Sequence, residues 1–231
     1  MPPAKRVGRI IGMLLFVQLV GLTVPFILLM PLATTGFLET AAGLASQIRV
    51  AVLLLFANGA LTIGIAIAAF PVIRESGLRM ALWLLATSIL WFAMQAVDNA
   101  HILAMLSLSQ RYAEGGASNA ELFGALGTLA RSSRRWTHYT ELLVIEAWFL
   151  VFYGLLFRLS LVPRLLAGFG LMMVILHAAG ITLPMFTGYG SVPMLGFSLA
   201  LSHLSVGGWL VAKGFDEARG TLPAGVALFK A

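Results

Sequence analysis

Apolar residues run along this chain in blocks of twenty or more, separated by short polar or basic connections. A helix needs about 20 consecutive apolar residues to cross ~30 Å of hydrocarbon, so the blocks predict membrane-spanning helices at about 10–32, 48–72, 80–105, 136–159, 165–186 and 194–212. The joints between them carry break signals. Arg74-Glu75-Ser76-Gly77-Leu78-Arg79 makes a tight basic turn after Pro71, Ser160 to Arg164 makes another with Pro163 near a helix start, and Thr187 to Pro193 is rich in glycine. The segment 33–47 is small and polar. The longest connection, Ser107 to Arg135, breaks at Glu114-Gly115-Gly116-Ala117-Ser118. After it Leu122, Phe123, Leu126 and Leu129 recur at helical spacing, predicting a short amphipathic helix in the interface ahead of span four. The reading is an all-α, single-domain bundle of six transmembrane helices over 1–231, with 213–231 a flexible cytoplasmic tail.

Composition agrees with that class. The 231 residues are 60% hydrophobic and 10% charged, against about 25% charged for a soluble domain, and mean hydropathy is +0.96. A net charge of +6 would suggest nucleic acid in a soluble protein, but here the Lys and Arg lie in the connections, where they report topology instead. Six spans place both termini on one side. Ten basic residues fall on that side (Lys5, Arg6, Arg9, Arg74, Arg79, Arg158, Arg164, Lys213, Arg219, Lys230) and five on the other (Arg49, Arg111, Arg131, Arg134, Arg135). The termini are therefore expected to be cytoplasmic, in a bacterial inner membrane, with the Arg131–Arg135 cluster running against the trend. The first block is longer than the apolar region of a signal peptide and reads as a retained span. With no cysteine, disulfides, thiolate ligands and cysteine nucleophiles are excluded.

Against this apolar background a few polar groups stand out. Gln95, Asp98 and His101 lie three residues apart along one stripe of span three, and Asn58, Glu146, His177 and His203 sit inside other spans. With the six-span topology, Asn58, Asp98, Glu146, His177 and His203 are expected about 10–15 Å below the outer surface, as one inward-facing polar layer, with Glu141 and His138 nearer its mouth. Three chemistries are compatible. Buried carboxylates with imidazoles near them can carry a proton or hold a small solute, unless Arg49 statically neutralises one of them. The pairs Asp98/His101 and His138/Glu141, each three residues apart, can offer two metal ligands from one helix face. His177 and His203, on consecutive antiparallel helices, can be axial haem ligands, although their neighbouring glycines are equally those of close helix packing. A serine nucleophile at Ser202 or Ser205 lacks any hydrolase spacing.

The chain resembles the bacterial six-span membrane proteins grouped as domain of unknown function 4386. The resemblance is carried by Arg9-Ile10-Ile11-Gly12 opening span one, by Phe70-Pro71-Val72-Ile73-Arg74 before Leu82-Trp83-Leu84-Leu85, and by Leu159-Ser160-Leu161-Val162-Pro163-Arg164-Leu165-Leu166-Ala167-Gly168 between spans four and five. It implies a fold and no activity. The functional expectation is thus a non-enzymatic protein that binds or passes a small solute or proton through the layer of Asn58, Gln95, Asp98, His101, Glu141, Glu146, His177 and His203. The competing readings are a membrane-embedded metal or haem redox protein and an accessory structural subunit. No cofactor and no nucleic acid are expected. The partners expected are the lipid bilayer, a small solute or proton, and a second copy or a larger membrane complex.

Overall fold

The computed structural model describes residues 3–187 and 198–216. Among them the architecture is all helical. The long helices are α1 (Pro3–Leu28), α2 (Ala45–Ser76), α3 (Leu78–Ala113), α4 (Ala120–Arg158), α5 (Arg164–Thr187) and α6 (Ser198–Lys213). Single turns at Met30–Ala33, Phe37–Thr40 and Ala41–Leu44 join α1 to α2. Five helical stretches are long and apolar enough to cross a membrane: Ala4–Leu28, Phe37–Ser76, Leu78–Ala113, Ala120–Arg158 and Arg164–Phe186. The sixth expected span is described over Ser198–Lys213, 16 residues. Its expected start at 194–197, the glycine-rich turn beyond Thr187 and the tail from 217 onward lie outside the described residues.

One expectation is corrected. The amphipathic segment before span four is not a separate interfacial helix but the first turns of α4, which runs unbroken for 39 residues. Between Leu129 and Trp136 the sequence has no Gly or Pro to interrupt the ladder, and Thr137 Oγ1 turns back onto Ser133 O (3.1 Å) without opening it. Leu122, Leu126 and Leu129 are exposed, while the Phe123 ring packs 5.6 Å from Tyr112. Likewise α3 passes its expected end at Met105 and continues to Ala113. At 1.5 Å per residue, α3 and α4 are about 54 and 58 Å long, beyond the ~30 Å of hydrocarbon.

The chain forms two compact units, one of Met1–Val17, Ile63–Ile89 and Ile145–Ala231, the other of Gln18–Thr62 and Leu90–Val144. In the first, α6 docks on the start of α1. Gly12 makes this possible, because a methyl group there would lie 2.8 Å from Leu210 Cβ and 2.9 Å from Gly207 O. Gly214 closes α6 with a left-handed φ of 75° and donates to Leu210 O at 2.8 Å. Phe215 is then buried, and Asp216 N donates to Leu161 O at 2.8 Å. In the second unit Leu29, Leu32, Phe37, Leu38 and Ala41 join Ile48, Ile102, Met105 and Leu106 in one apolar cluster. Ser109 clasps the connecting segment from α3, donating to Leu38 O and accepting from Ala42 N, both at 2.8 Å.

Candidate functional site

The sequence-predicted residues divide between the units, and within each unit only some of them meet. Asn58, Gln95, Asp98, His101 and Glu141 belong to the second unit, Glu146, His177 and His203 to the first.

In the second unit, Arg134, His138 and Glu141 follow one another on α4 at intervals of four and three residues, which puts all three on one helix face. That face meets Asp98 of α3. Arg134 Nη2 lies 3.6 Å and His138 Nδ1 3.8 Å from Asp98 Oδ2, and His138 Nδ1 lies 3.3 Å from Glu141 Oε2. Both carboxylates are buried, Asp98 at 1% and Glu141 at 2% exposure, whereas the His138 side chain is 46% exposed and that of Arg134 19%. The imidazole and the guanidinium thus connect two enclosed acids to the surface. Asp98 Oδ1 and Arg134 Nε are buried without a hydrogen-bond partner.

Other expected members of this group have separate roles. His101 Nδ1 is 3.4 Å from Ser133 Oγ and is outside the Asp98–His138–Glu141 set. Gln95 Nε2 donates to Asn99 Oδ1, and Asn99 Nδ2 to Val52 O, each at 3.3 Å. Asn58 is buried with neither side-chain atom hydrogen-bonded, and Gly21 leaves it room, since a methyl there would lie 2.7 Å from Asn58 Oδ1. Beside it Gln18 Nε2 donates to Thr62 Oγ1 at 2.9 Å. Arg49, expected as the static counter-charge, is exposed, and the cation beside Asp98 is Arg134.

In the first unit, His177 of α5 and Glu146 of α4 are joined by a hydrogen bond between Nδ1 and Oε1. Their side chains are 12% and 5% exposed, and Glu146 Oε2 is buried without a partner. His203 Nδ1 donates to Leu199 O one turn back at 2.9 Å, which leaves Nε2 as the acceptor nitrogen, buried and unpartnered. Its ring stands edge-on to Phe149 with centroids 5.0 Å apart. Around it Trp148 and Phe152 stack at 5.0 Å, Tyr153 donates to Ser202 Oγ at 3.0 Å and Ser202 donates to Leu199 O at 2.8 Å. Ser202 is thereby committed to holding Tyr153 against α6.

The model of the family described as Domain of unknown function (DUF4386) matches residues 10–214. The chain belongs to that family. It matches no curated protein and no solved structure. Both sites lie within the matched residues, and the family attaches no chemistry to either, so what they do rests on their geometry.

Reasoning from sequence missed the roles of Arg134, Tyr153 and Ser202, and of Ser88, which accepts from Trp148 Nε1 at 2.7 Å. Arg134 had a signal, the three arginines that contradict the charge asymmetry of the loops, one of which is in fact turned to a buried acid. The serines and the tyrosine had none, because hydroxyls at helix contacts follow no spacing that marks a site.

Proposed function

We propose that the protein is a six-span bacterial inner-membrane protein, with both termini cytoplasmic, whose interior takes up and releases a proton at the Glu146–His177 pair. The observation that supports this most is the direct hydrogen bond between a carboxylate and an imidazole inside a membrane helix bundle. A carboxylate alone is costly in such surroundings. Beside an imidazole the proton has two positions, one giving an ion pair and the other two neutral groups. The unpartnered Glu146 Oε2 leaves a lone-pair site for an incoming proton or water, and His177, the more exposed of the two, is the side of entry. The orientation rests on the excess of basic residues in the connections shared with the termini.

The test uses purified protein in liposomes that enclose the pH-sensitive dye pyranine, under an imposed pH gradient. Wild-type protein dissipates the gradient faster than empty liposomes, and infrared difference spectra across pH show a carboxyl band. Glu146→Gln abolishes both, and His177→Gln slows the flux. If folded Glu146→Gln carries protons at the wild-type rate, the pair is a static structural contact.

A further inference from the structure

We propose that the second unit holds a divalent transition-metal ion of the zinc class, bound by Asp98, His138 and Glu141. One ligand atom from each of these residues lies within 4.8 Å of the other two. His138 Nδ1 is 3.3 Å from Glu141 Oε2 and 3.8 Å from Asp98 Oδ2. Zinc bonds to nitrogen and oxygen are about 2.0–2.2 Å, so ligand atoms of a tetrahedral site are roughly 3.3–3.5 Å apart. The His138–Glu141 spacing already matches, the His138–Asp98 spacing of 3.8 Å needs a contraction of a few tenths of an ångström, and the two carboxylates, within 4.8 Å of each other, need to close by up to about 1.5 Å to enclose an ion.

Proximity of acids alone would not make a site, and a second observation points to a cation. Asp98 is 1% exposed, yet Oδ1 has no hydrogen-bond partner. Oδ2 has the Arg134 guanidinium at 3.6 Å and the His138 imidazole at 3.8 Å, both beyond hydrogen-bond length. A buried carboxylate oxygen that accepts no hydrogen bond has lost its hydration without replacement, and a metal ion bound by this carboxylate supplies that replacement. Charge is consistent as well. Two carboxylates and a neutral imidazole balance a divalent ion, and Arg134 remains as an outer partner that orients the Asp98 carboxylate.

The donor set selects the metal. One imidazole with two carboxylates, and a sequence free of cysteine, favours zinc, cobalt or manganese over copper(I) or an iron–sulfur cluster. The intervals fit a rigid presentation, since His138 and Glu141 stand one turn apart on α4 and Asp98 faces them from α3. Three protein ligands leave a fourth position, reached from the surface past the half-exposed His138, for water or an oxygen ligand.

The experiment uses the full chain in lipid nanodiscs, stripped with a chelator and dialysed against Zn²⁺ or Co²⁺, with metal content and the Co²⁺ visible spectrum as readouts. One equivalent of Zn²⁺ per chain and an intense tetrahedral Co²⁺ band are expected. His138→Gln and Glu141→Gln each weaken binding by more than the roughly 100-fold that loss of an outer partner costs. His138 is half exposed, so its variant tests the site even where Glu141→Gln fails to fold. His101→Ala and Glu146→Gln retain full binding, and the latter keeps this test separate from that of the proton pair. No bound Zn²⁺ in wild type, or His138→Gln binding as tightly as wild type, overturns the proposal.

Discussion

Trp148 Nε1 donates to Ser88 Oγ at 2.7 Å, and both residues are fully buried. Ser88 passes the bond on to Leu84 O at 2.8 Å, so an indole of α4 is tied to the backbone of α3 through one hydroxyl. Ser88→Ala is expected to destabilise the protein by about 1–3 kcal/mol, because the hydrogen bond between two buried groups is lost. Thermal unfolding in detergent, followed by tryptophan fluorescence, measures it. Adding Ser88→Ala to Trp148→Phe should cost less than Ser88→Ala in wild type; strict additivity would show that the bond contributes nothing.

Gly170 faces the Tyr153 ring so closely that a methyl group would sit within 3.0 Å of Tyr153 Cγ and nearer still to its edge. Tyr153 is fully buried and held by Ser202, so it has nowhere to move. Gly170→Ala is expected to cost about 1–3 kcal/mol through overpacking. Gly154→Ala, with open space around it, should match or slightly exceed wild-type stability through better helix propensity. Equal melting temperatures for the two variants would contradict this packing.

Ser109 serves two backbone groups of the connection between α1 and α2, Leu38 O and Ala42 N. Ser109→Ala orphans both. The expected result is loss of hydrogen-exchange protection and faster proteolysis confined to residues 33–44, while α4 and α5 stay protected. Unchanged exchange at Ala42 would mean that the apolar cluster alone fixes the segment.

A chain without cysteine lends itself to single-cysteine labelling of its sidedness. Thr35→Cys and Glu114→Cys, at exposed positions, should react with a membrane-impermeant maleimide on intact spheroplasts. Glu75→Cys, also exposed, should react only after lysis. The reverse pattern would invert the orientation proposed for the termini.

The helices were legible in the sequence because hydrophobic block length is a one-dimensional property. Met80 onward and Leu165 onward begin helices close to where hydropathy places them, while the first helix starts at Pro3, ahead of the apolar block from Ile10. Their ends were less legible. α3 and α4 run past the apolar blocks, since polar residues such as Ser107, Gln110, Arg131 and Ser132 are good enough helix formers to continue a helix already begun. The site was legible in part. Asp98, His138 and Glu141 stood out as ionisable groups near or inside apolar blocks, and Glu146 and His177 for the same reason. Which of them meet depends on helix rotation, which spacing along one helix does not report. Hence His101 was grouped with Asp98 by periodicity, whereas in space it faces Ser133, and the acid's real neighbours come from α4.

The unbroken continuation of α3 to Ala113 and of α4 from Ala120 gives the second unit a helical hairpin closed by a joint of six residues and braced by the cluster around Phe37, Leu106 and Phe123. A rigid fusion partner spliced into that joint would inherit the direction of both helices. For a protein of 24.7 kDa this turns a membrane target too small to align in electron images into one that carries its own fiducial.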